Sequence, residues 1–531
     1  MGPQLNSGHV VGLIDLGTNS VRLFVVRINE NKSYTLLNQH KIMVRLGEGE
    51  FVKQRLKNEA MERTILVLGR FAEMARNLGA EELLAVATSA TRDAENKDVF
   101  LERVRKEAGV DLKVISGLEE ARLIYLGIAS GMHLGDKTAL FIDIGGGSTE
   151  TIVGNQTEYF HLDSLKLGAV RLASLFFLPG ETEPVSPDRY ALLQQYVRNA
   201  SLRSVQRLRE FPVDLVVGSS GTLETLAEMA FRRGNKKQKK SPSVEKTTAE
   251  RSMTRRQLDE LTKLLCSLPL EERKQLPGMV PERADIIVAG ASIIHTLMED
   301  LELDKIQIST RSLRNGLLVD YLMRGKWGYL DAAFSVREQS VLQLARSCGF
   351  HEEHSRHLGD LCMQLFDSGV QTGLHSFGDS AKELLYYAAL LHDIGLFLSF
   401  SNHHAHSHYI IRNVELLGFH DNEIAVIAAL AFYHRKRSPK KKDPEFEALD
   451  QDSQRIVFTL SMFLRMAESL DRSHHNFVHV VRFVREKNVL LLKIQADEGY
   501  QLELWALEEH QKYFVKTFGE RFGIQVTASG F

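Results

Sequence analysis

Cysteine is almost missing from this chain: three residues in 531, Cys266, Cys348 and Cys362, with no CxxC pair among them. That scarcity excludes a disulfide-stapled scaffold and a cysteine-rich zinc module, and it fits a reducing compartment, so a cytoplasmic location is expected. Net charge is missing too. Lys and Arg number 66 against 68 Asp and Glu, a formal charge of -2, which gives no global pull toward nucleic acid or a membrane surface, and neither is expected as a partner. Long apolar runs are also absent: the stretch from Ile424 to Tyr433 is about half of the ~20 residues that a bilayer requires. The opening "MGPQLNSGHV" has no basic n-region, so no secretory leader is expected. A composition of 44% hydrophobic and 25% charged residues is ordinary for globular chains, and 531 residues exceed a single core, so three or four domains are expected.

What is present is a device used twice. Leu13 to Val26 read "LIDLGTNSVRLFVV" and Phe141 to Gly154 read "FIDIGGGSTETIVG". Each is an apolar strand ending in an aspartate, a glycine turn with small polar residues, and a second strand. The copies are about one domain length apart, which suggests a duplicated α/β domain and a cleft between its halves. A third turn of this type follows at "DLVVGSSGTLETLA". Glycine turns after strands let backbone N–H groups approach phosphate oxygens, and Thr18, Asn19, Ser20, Ser148 and Thr149 add side-chain donors. Asp143 and Glu150 beside the second turn would repel a phosphate unless a divalent cation lay between them, and Mg²⁺ suits a carboxylate or two plus phosphate oxygens. Arg22 is read as a strand-edge charge.

Further along, residues 330 to 475 carry helical patterns rich in histidine, and a final stretch returns to alternating strands. The boundaries expected are an N-terminal lobe at 1–126, a second lobe at 127–325, a helical domain at 326–480 and a small α+β segment at 481–531. Two basic runs interrupt this plan, Arg232 to Lys246 and His434 to Asp443. They are solvated loops on one reading and polyanion contacts on the other, the latter through Lys236, Lys237, Lys239 and Lys240 or Lys440, Lys441 and Lys442.

The paired turns resemble the actin, sugar kinase and heat-shock chaperone superfamily of duplicated ribonuclease-H-like folds. More narrowly, "DLGTNSVRL", "ATSATRDAEN", "ISGLEEARLIYLGI", "DIGGGSTE", "SLKLGAVRL", "PERADIIVAGA" and "LRNGLLVDYL" resemble the exopolyphosphatase/guanosine pentaphosphate phosphatase family over about residues 10–325. The fold class implied is α/β, two duplicated ribonuclease-H-like lobes followed by an all-α HD-like domain and a small α+β segment. The activity implied is release of terminal phosphate from inorganic polyphosphate, or of the 5′-phosphate of guanosine pentaphosphate, by a homodimer. By position in "EEAR", Glu120 is implied as general base. Gly17, Thr18, Asn19 and Ser20, with Gly145, Gly146, Gly147, Ser148 and Thr149, are implied to hold phosphate, Arg92 to clamp it, and Asp143 and Glu150 to bind Mg²⁺. Asn315 and Ser220 depart from the family pattern, where Glu and a second Gly are usual. A sensor of guanosine tetra- or pentaphosphate, and an ATP-dependent kinase or ATPase of the same superfamily, are the alternatives.

In the histidine-rich half, "EEHSRHL", "ALLHDIG", "HHAHSHYII", "FYHRK" and "RMAESLDRS" resemble HD-domain metal phosphohydrolases. Position by position this implies His354, His392, Asp393 and either Asp471 or Glu468 as ligands of a divalent transition metal, with His406 and His434 needed for a second ion. His403, His408 and His474 are read as surface or core residues. A helical scaffold without metal, serving polyphosphate binding or dimer formation, remains an equal reading of the same residues.

Overall fold

The computed structural model describes residues 8–31, 33–178, 180–234, 252–324, 336–414, 416–435, 438–487 and 489–528. Two compact units result, one from Leu5–Glu30 with Tyr34–Asp331, the other chiefly from Ala332–Phe531. No helix among the described residues is long and apolar enough to cross a membrane.

The first unit contains two sheets of matching topology. In one, β1 (Gly8–Leu16), β2 (Ser20–Asn29), β3 (Tyr34–Met43), β4 (Glu82–Ala87) and β5 (Leu112–Val114) lie in the order β3-β2-β1-β4-β5. In the other, β6 (Ala139–Ile144), β7 (Thr149–Gly154), β8 (Tyr159–Leu165), β9 (Leu215–Ser219), β10 (Ser252–Thr254) and β11 (Lys305–Ile308) lie in the order β10-β11-β9-β6-β7-β8. Each begins as an antiparallel three-strand meander, and its first strand then pairs in parallel with the strand after the meander. The sequences account for this. "VVGLIDL" in β1 and "ALFIDI" in β6 are buried throughout, as strands covered on both faces must be. The edge strand β3 carries the polar run Asn38–Lys41 and is largely exposed.

Helices complete each lobe. The Asn58–Asn77 helix places Met61, Ile65, Leu68, Phe71, Ala72 and Ala75 on one face against the first sheet, the spacing of an amphipathic helix. The Gly117–Ala129 helix shares a cluster with the Leu313–Arg324 helix and with Leu13, Phe24 and Phe141 from the two sheets. These two helices touch through glycine. A methyl group built on Gly316 would lie 1.7 Å from the Leu123 carbonyl oxygen, and one on Gly127 2.4 Å from that of Ser312. Asn315 caps the start of its helix by accepting the Ser312 N–H at 3.2 Å.

The second unit opens with the helices Val336–Ser347, Glu352–Gln371, Asp379–Leu391, His403–Asn413, Asp421–Phe432 and Gln451–Leu470. The hairpin of β12 (Val478–Glu486) and β13 (Val489–Ala496) follows, and β14 (Phe522–Ala528) joins β13 in parallel after two short helices. The strands do not have a core of their own. The Phe483 ring lies 6.0 Å from that of Phe463 of the Gln451–Leu470 helix and 5.6 Å from that of Phe514, which lies 4.7 Å from Phe522.

Of the two basic runs, Lys236, Lys237, Lys239 and Lys240 fall outside the described residues. In the other, Asp443 accepts hydrogen bonds from the Lys440 N–H and the Tyr433 hydroxyl, both at 3.1 Å. The side chains of Lys440, Lys441 and Lys442 are exposed.

The helix contact at Gly316 predicts that Gly316→Ala destabilises the protein by roughly 1–3 kcal/mol, the range for overpacking a filled contact. Urea unfolding measures it, and an unchanged midpoint would show that the two helices can part freely.

Candidate active site

The two glycine turns are built alike. Gly17 N–H donates to Ser20 O at 3.0 Å, and Gly145 N–H donates to Ser148 O at 2.9 Å. The turns face one another across a cavity, partly open to solvent, which Ser89, Glu120, Ser220, Gly221 and Arg283 also line. Their approach is close enough to require glycine: a methyl group built on Gly147 would lie 2.0 Å from Ser89 Oγ, and one on Gly146 2.7 Å from Thr18 Cβ. Arg171 pins the second turn. Its guanidinium donates to Gly147 O at 2.7 Å and to Asp93 at 2.5 Å, over the ring of Phe51.

Gly17, Thr18, Asn19, Ser20, Gly145, Gly146, Gly147 and Ser148 all line the cavity. The Asn19 amide nitrogen is buried with no hydrogen-bond partner, a donor available to a ligand. Thr149 differs from the expectation of a phosphate donor, because it is fully buried and its hydroxyl is spent on Leu167 O at 2.7 Å. Ser220 keeps a φ of 102°, a backbone that favours glycine, and its hydroxyl accepts the Leu223 N–H.

Four carboxyl groups lie near the turns: Asp15 at the end of β1, Asp143 at the end of β6 and Glu120 in the first turn of the Gly117–Ala129 helix line the cavity, whereas Glu150 on β7 is buried and is not among its lining residues. Each is at most 8% exposed. Burial is the main cause that lifts all of them toward the neutral form. Glu120 is pushed up to about 7, with Arg92 opposing and Asp15 and Asp143 adding to the rise. Asp143 reaches about 6 against the hydrogen bond it accepts from the Ser219 hydroxyl. Glu150 is raised well above the usual range by burial and then by Glu120 and Asp143. Asp15 is raised by burial, against the charges of Arg22, Arg314 and Lys41. Glu150 Oε1 accepts from Ser164 Oγ at 2.8 Å, while its Oε2 is buried without a partner. An all-oxygen donor set with an orphaned carboxylate oxygen fits a hard cation such as Mg²⁺.

Two residues sit elsewhere than their sequence context suggested. Arg92 donates from Nη1 to Glu120 Oε2 and to Ile115 O, both at 3.0 Å, and it is not among the residues that line the cavity. Arg22 is not an edge charge, because β2 lies between β1 and β3. It pairs across from Asp15 as Glu150 pairs across from Asp143, lines the cavity and donates to Ser312 Oγ at 3.1 Å. The shared offset within the two motifs was a usable signal for Asp15 and Arg22. For Arg283 and Arg314 the signal was only their place in the segments "PERADIIVAGA" and "LRNGLLVDYL". Glu119, the neighbour of Glu120, is engaged by Arg122 at 2.7 and 2.8 Å.

In the second unit, His354, His392 and Glu468 form one grouping of potential metal ligands, and Asp393, His403 and His434 form another. Asp471 is not in either. Its Oδ2 meets His354 Nδ1 at 2.6 Å and its Oδ1 accepts the Asn476 N–H, and Glu468, one helical turn earlier, faces the imidazoles instead. His403, at the start of its helix, takes the place expected of His406. His474 is an exposed ring stacked 3.8 Å from His354.

Residues 24–324 match the family model described as the Ppx/GppA phosphatase family, and residues 336–511 match that of Ppx/GppA phosphatase domain III. Among solved structures, an exopolyphosphatase from Cytophaga hutchinsonii is 29% identical, with a TM-score of 0.54 over 61% of this chain and 100% of its own. The Aquifex aeolicus member of the Ppx/GppA family is 28% identical, with a TM-score of 0.49 over 60% of this chain and 99% of its own.

The buried acids predict a pH dependence of stability. In the native state Asp143 and Glu120 hold their protons up to about 6 and about 7, whereas the unfolded chain releases them near ~4. The native state therefore binds more protons in between, and stability falls as pH rises from about 4 to 7 in the absence of divalent cations. Mg²⁺ and Asp143→Asn should each flatten that slope. Melting temperatures in chelator across this range measure it, and a slope identical in wild type, with Mg²⁺ and in Asp143→Asn would contradict the assignment.

Proposed function

Because this chain belongs to the Ppx/GppA phosphatase family, we propose that it is an exopolyphosphatase, releasing terminal orthophosphate from inorganic polyphosphate with the aid of Mg²⁺, and that guanosine pentaphosphate is a second substrate. The observation that carries this reading is the setting of Glu120: a buried carboxyl raised to about 7, held by Arg92, at a cavity walled by two glycine turns. A base whose proton affinity lies near the working pH is suited to take a proton from water.

In this reading the turns at Gly17–Ser20 and Gly145–Ser148 cradle the terminal phosphate with backbone N–H groups, and the Asn19 amide adds a donor. Glu120 orients the attacking water and accepts its proton at a carboxylate oxygen, while Arg92 keeps that carboxylate aimed. The water oxygen bonds to the terminal phosphorus as the bridging P–O bond breaks, and the shortened polyphosphate leaves as an anion. Asp143 and Glu150 would hold Mg²⁺, which when bound neutralises charge on the transferring phosphate. Arg22, Arg283 and Arg314 offer positive charge for the remaining phosphates, whether of a polyphosphate chain or of the nucleotide.

Phosphate release from both substrates by one purified sample tests the reading, and binding without turnover in Mg²⁺ would favour a sensor instead. Glu120→Gln is expected to keep substrate binding and lose about 10²–10⁴ in turnover. Near-wild-type release by that variant would remove Glu120 from the reaction. Asp143→Asn should raise the Mg²⁺ concentration needed for half-maximal activity, and superimposable Mg²⁺ titrations would count against metal binding there.

A further inference from the structure

A row of charge runs from the cleft to the edge of the first sheet. Asp15 on β1 pairs across with Arg22 on β2, and Arg22 with Lys41 on β3. Residues directly opposite in an antiparallel ladder point to the same face, their Cβ atoms about 4.5–5.5 Å apart. The three therefore form one line: an acid and a cation that line the cavity, then a lysine exposed on the edge strand.

This face of the sheet also carries Phe24, two residues on from Arg22, and the start of the Leu313–Arg324 helix lies over it. Arg22 donates to Ser312 Oγ at 3.1 Å, and the Arg314 guanidinium stands 5.2 Å from the centre of the Phe24 ring. Arg314 Nε is buried with no hydrogen-bond partner. Arg283, just before the Ile287–Asp300 helix, is 9% exposed and lines the cavity beside Gly221, on which a methyl group would lie 2.2 Å from its Nη2. Lys41 thus stands at the outer end of a group of three guanidinium cations. Glu224, in the first turn of the Gly221–Gly234 helix, is the acid that acts on it.

That setting changes what the amine can do. Partial loss of hydration is the main cause that lowers the Lys41 ammonium to about 8; Arg22 and Arg283 push it down further, Glu224 opposes, and Arg314 adds a smaller push down. At pH 7 about a tenth of Lys41 is then neutral amine, against roughly one part in 2,500 for an ordinary lysine. Guanidinium groups with unused donors bind phosphate. An accessible amine beside such a group meets both needs for attack on a molecule that carries a phosphate and an activated carbonyl.

We propose that Lys41 is a covalent modification site, acylated by small acyl phosphates that Arg22, Arg283 and Arg314 hold by the phosphate end. The lone pair of Lys41 Nζ attacks the acyl carbon, and the bond from that carbon to the bridging oxygen breaks. Orthophosphate leaves with the electron pair and takes up the proton that the nitrogen loses, so no further reactant is needed. The product is a neutral amide, and the mouth of the cleft loses one positive charge. This modification does not depend on the reading of the cleft as an exopolyphosphatase, because it uses only the amine and the cations around it.

Full-length protein incubated with acetyl phosphate at pH 7 in chelator, at constant ionic strength, and followed by peptide mass spectrometry tests this. Lys41 should be acetylated at least about ten-fold faster than Lys113, which is exposed on the edge strand at the other end of the same sheet. A lower proton affinity frees more amine but makes each a weaker nucleophile, and roughly that factor is left. The rate at Lys41 should saturate with acetyl phosphate and fall with excess inorganic phosphate. Arg314→Gln should slow it and Glu224→Gln should speed it, each by about two- to five-fold, with Lys113 unaffected; opposite signs are not what a damaged fold produces. Labelling of Lys41 no faster than that of Lys113 would overturn the proposal. So would a rate that stays linear in acetyl phosphate and indifferent to inorganic phosphate, since the amine would then react without the cations holding the reagent.

Discussion

The closeness of two glycine turns governs the first unit. The side chains of Thr18 and Ser89 occupy the space that a Cβ on Gly146 or Gly147 would need, so the turns can meet only if those positions lack one. That contact brings the carboxyl ends of β1 and β6 to a common point, and the acids that end these strands come with them. Arg171 reinforces the arrangement by tying Gly147 O to Asp93. Helix packing at Gly127 and Gly316 repeats the strategy between the helix that carries Glu120 and the Leu313–Arg324 helix. Close backbone approach, and not a large apolar side chain, sets the geometry of the cleft.

Concentrating acids in such a place has an electrostatic consequence. Four buried carboxyls cannot all ionise near one another without a compensating charge, and burial raises each of them. The duplication has diverged at this point. Across from the strand-end aspartate one copy carries Arg22 and the other Glu150. One half of the cleft therefore supplies its own cation opposite the acid, while the other presents two acids together, the arrangement that calls for a metal ion. A symmetric pair of sheets produces an asymmetric site by a change at one register position.

In the second unit the same problem is met with different chemistry. Backbone carbonyls at two helix C-termini fix the imidazoles of His392 and His434, and the Phe400 carbonyl just before the His403–Asn413 helix fixes that of His403. Asp471, which has a carboxylate of the right type in the right motif, serves the outer side of His354 because it falls one turn beyond Glu468, at the C-terminal end of the helix.

Sequence by itself determined the two strand–turn–strand devices, their duplication and the division into α/β lobes followed by a helical region, because strand burial, glycine turns and helical periodicity are local patterns that survive without a partner. It also located the acids Asp143 and Glu150 and the glutamate at the helix start. Tertiary structure decided what each polar side chain faces. Thr149 had a donor of the right kind for phosphate, yet Leu167 O takes it, and Arg92 commits its Nη1 to Glu120 and Ile115 O. Arg22 looked like a strand-edge charge and lies on an interior strand, while Arg283 and Arg314 reach the cleft region from segments hundreds of residues downstream. In the helical cluster His403 stands where His406 was expected, and of the two alternatives Glu468 and Asp471 it is Glu468 that faces the imidazoles, single-turn differences that a motif does not resolve. The physical reason is common to all of these: residue type sets what a side chain can do, but a hydrogen bond or a charge contact depends on ångström-scale distances that only the packed chain establishes.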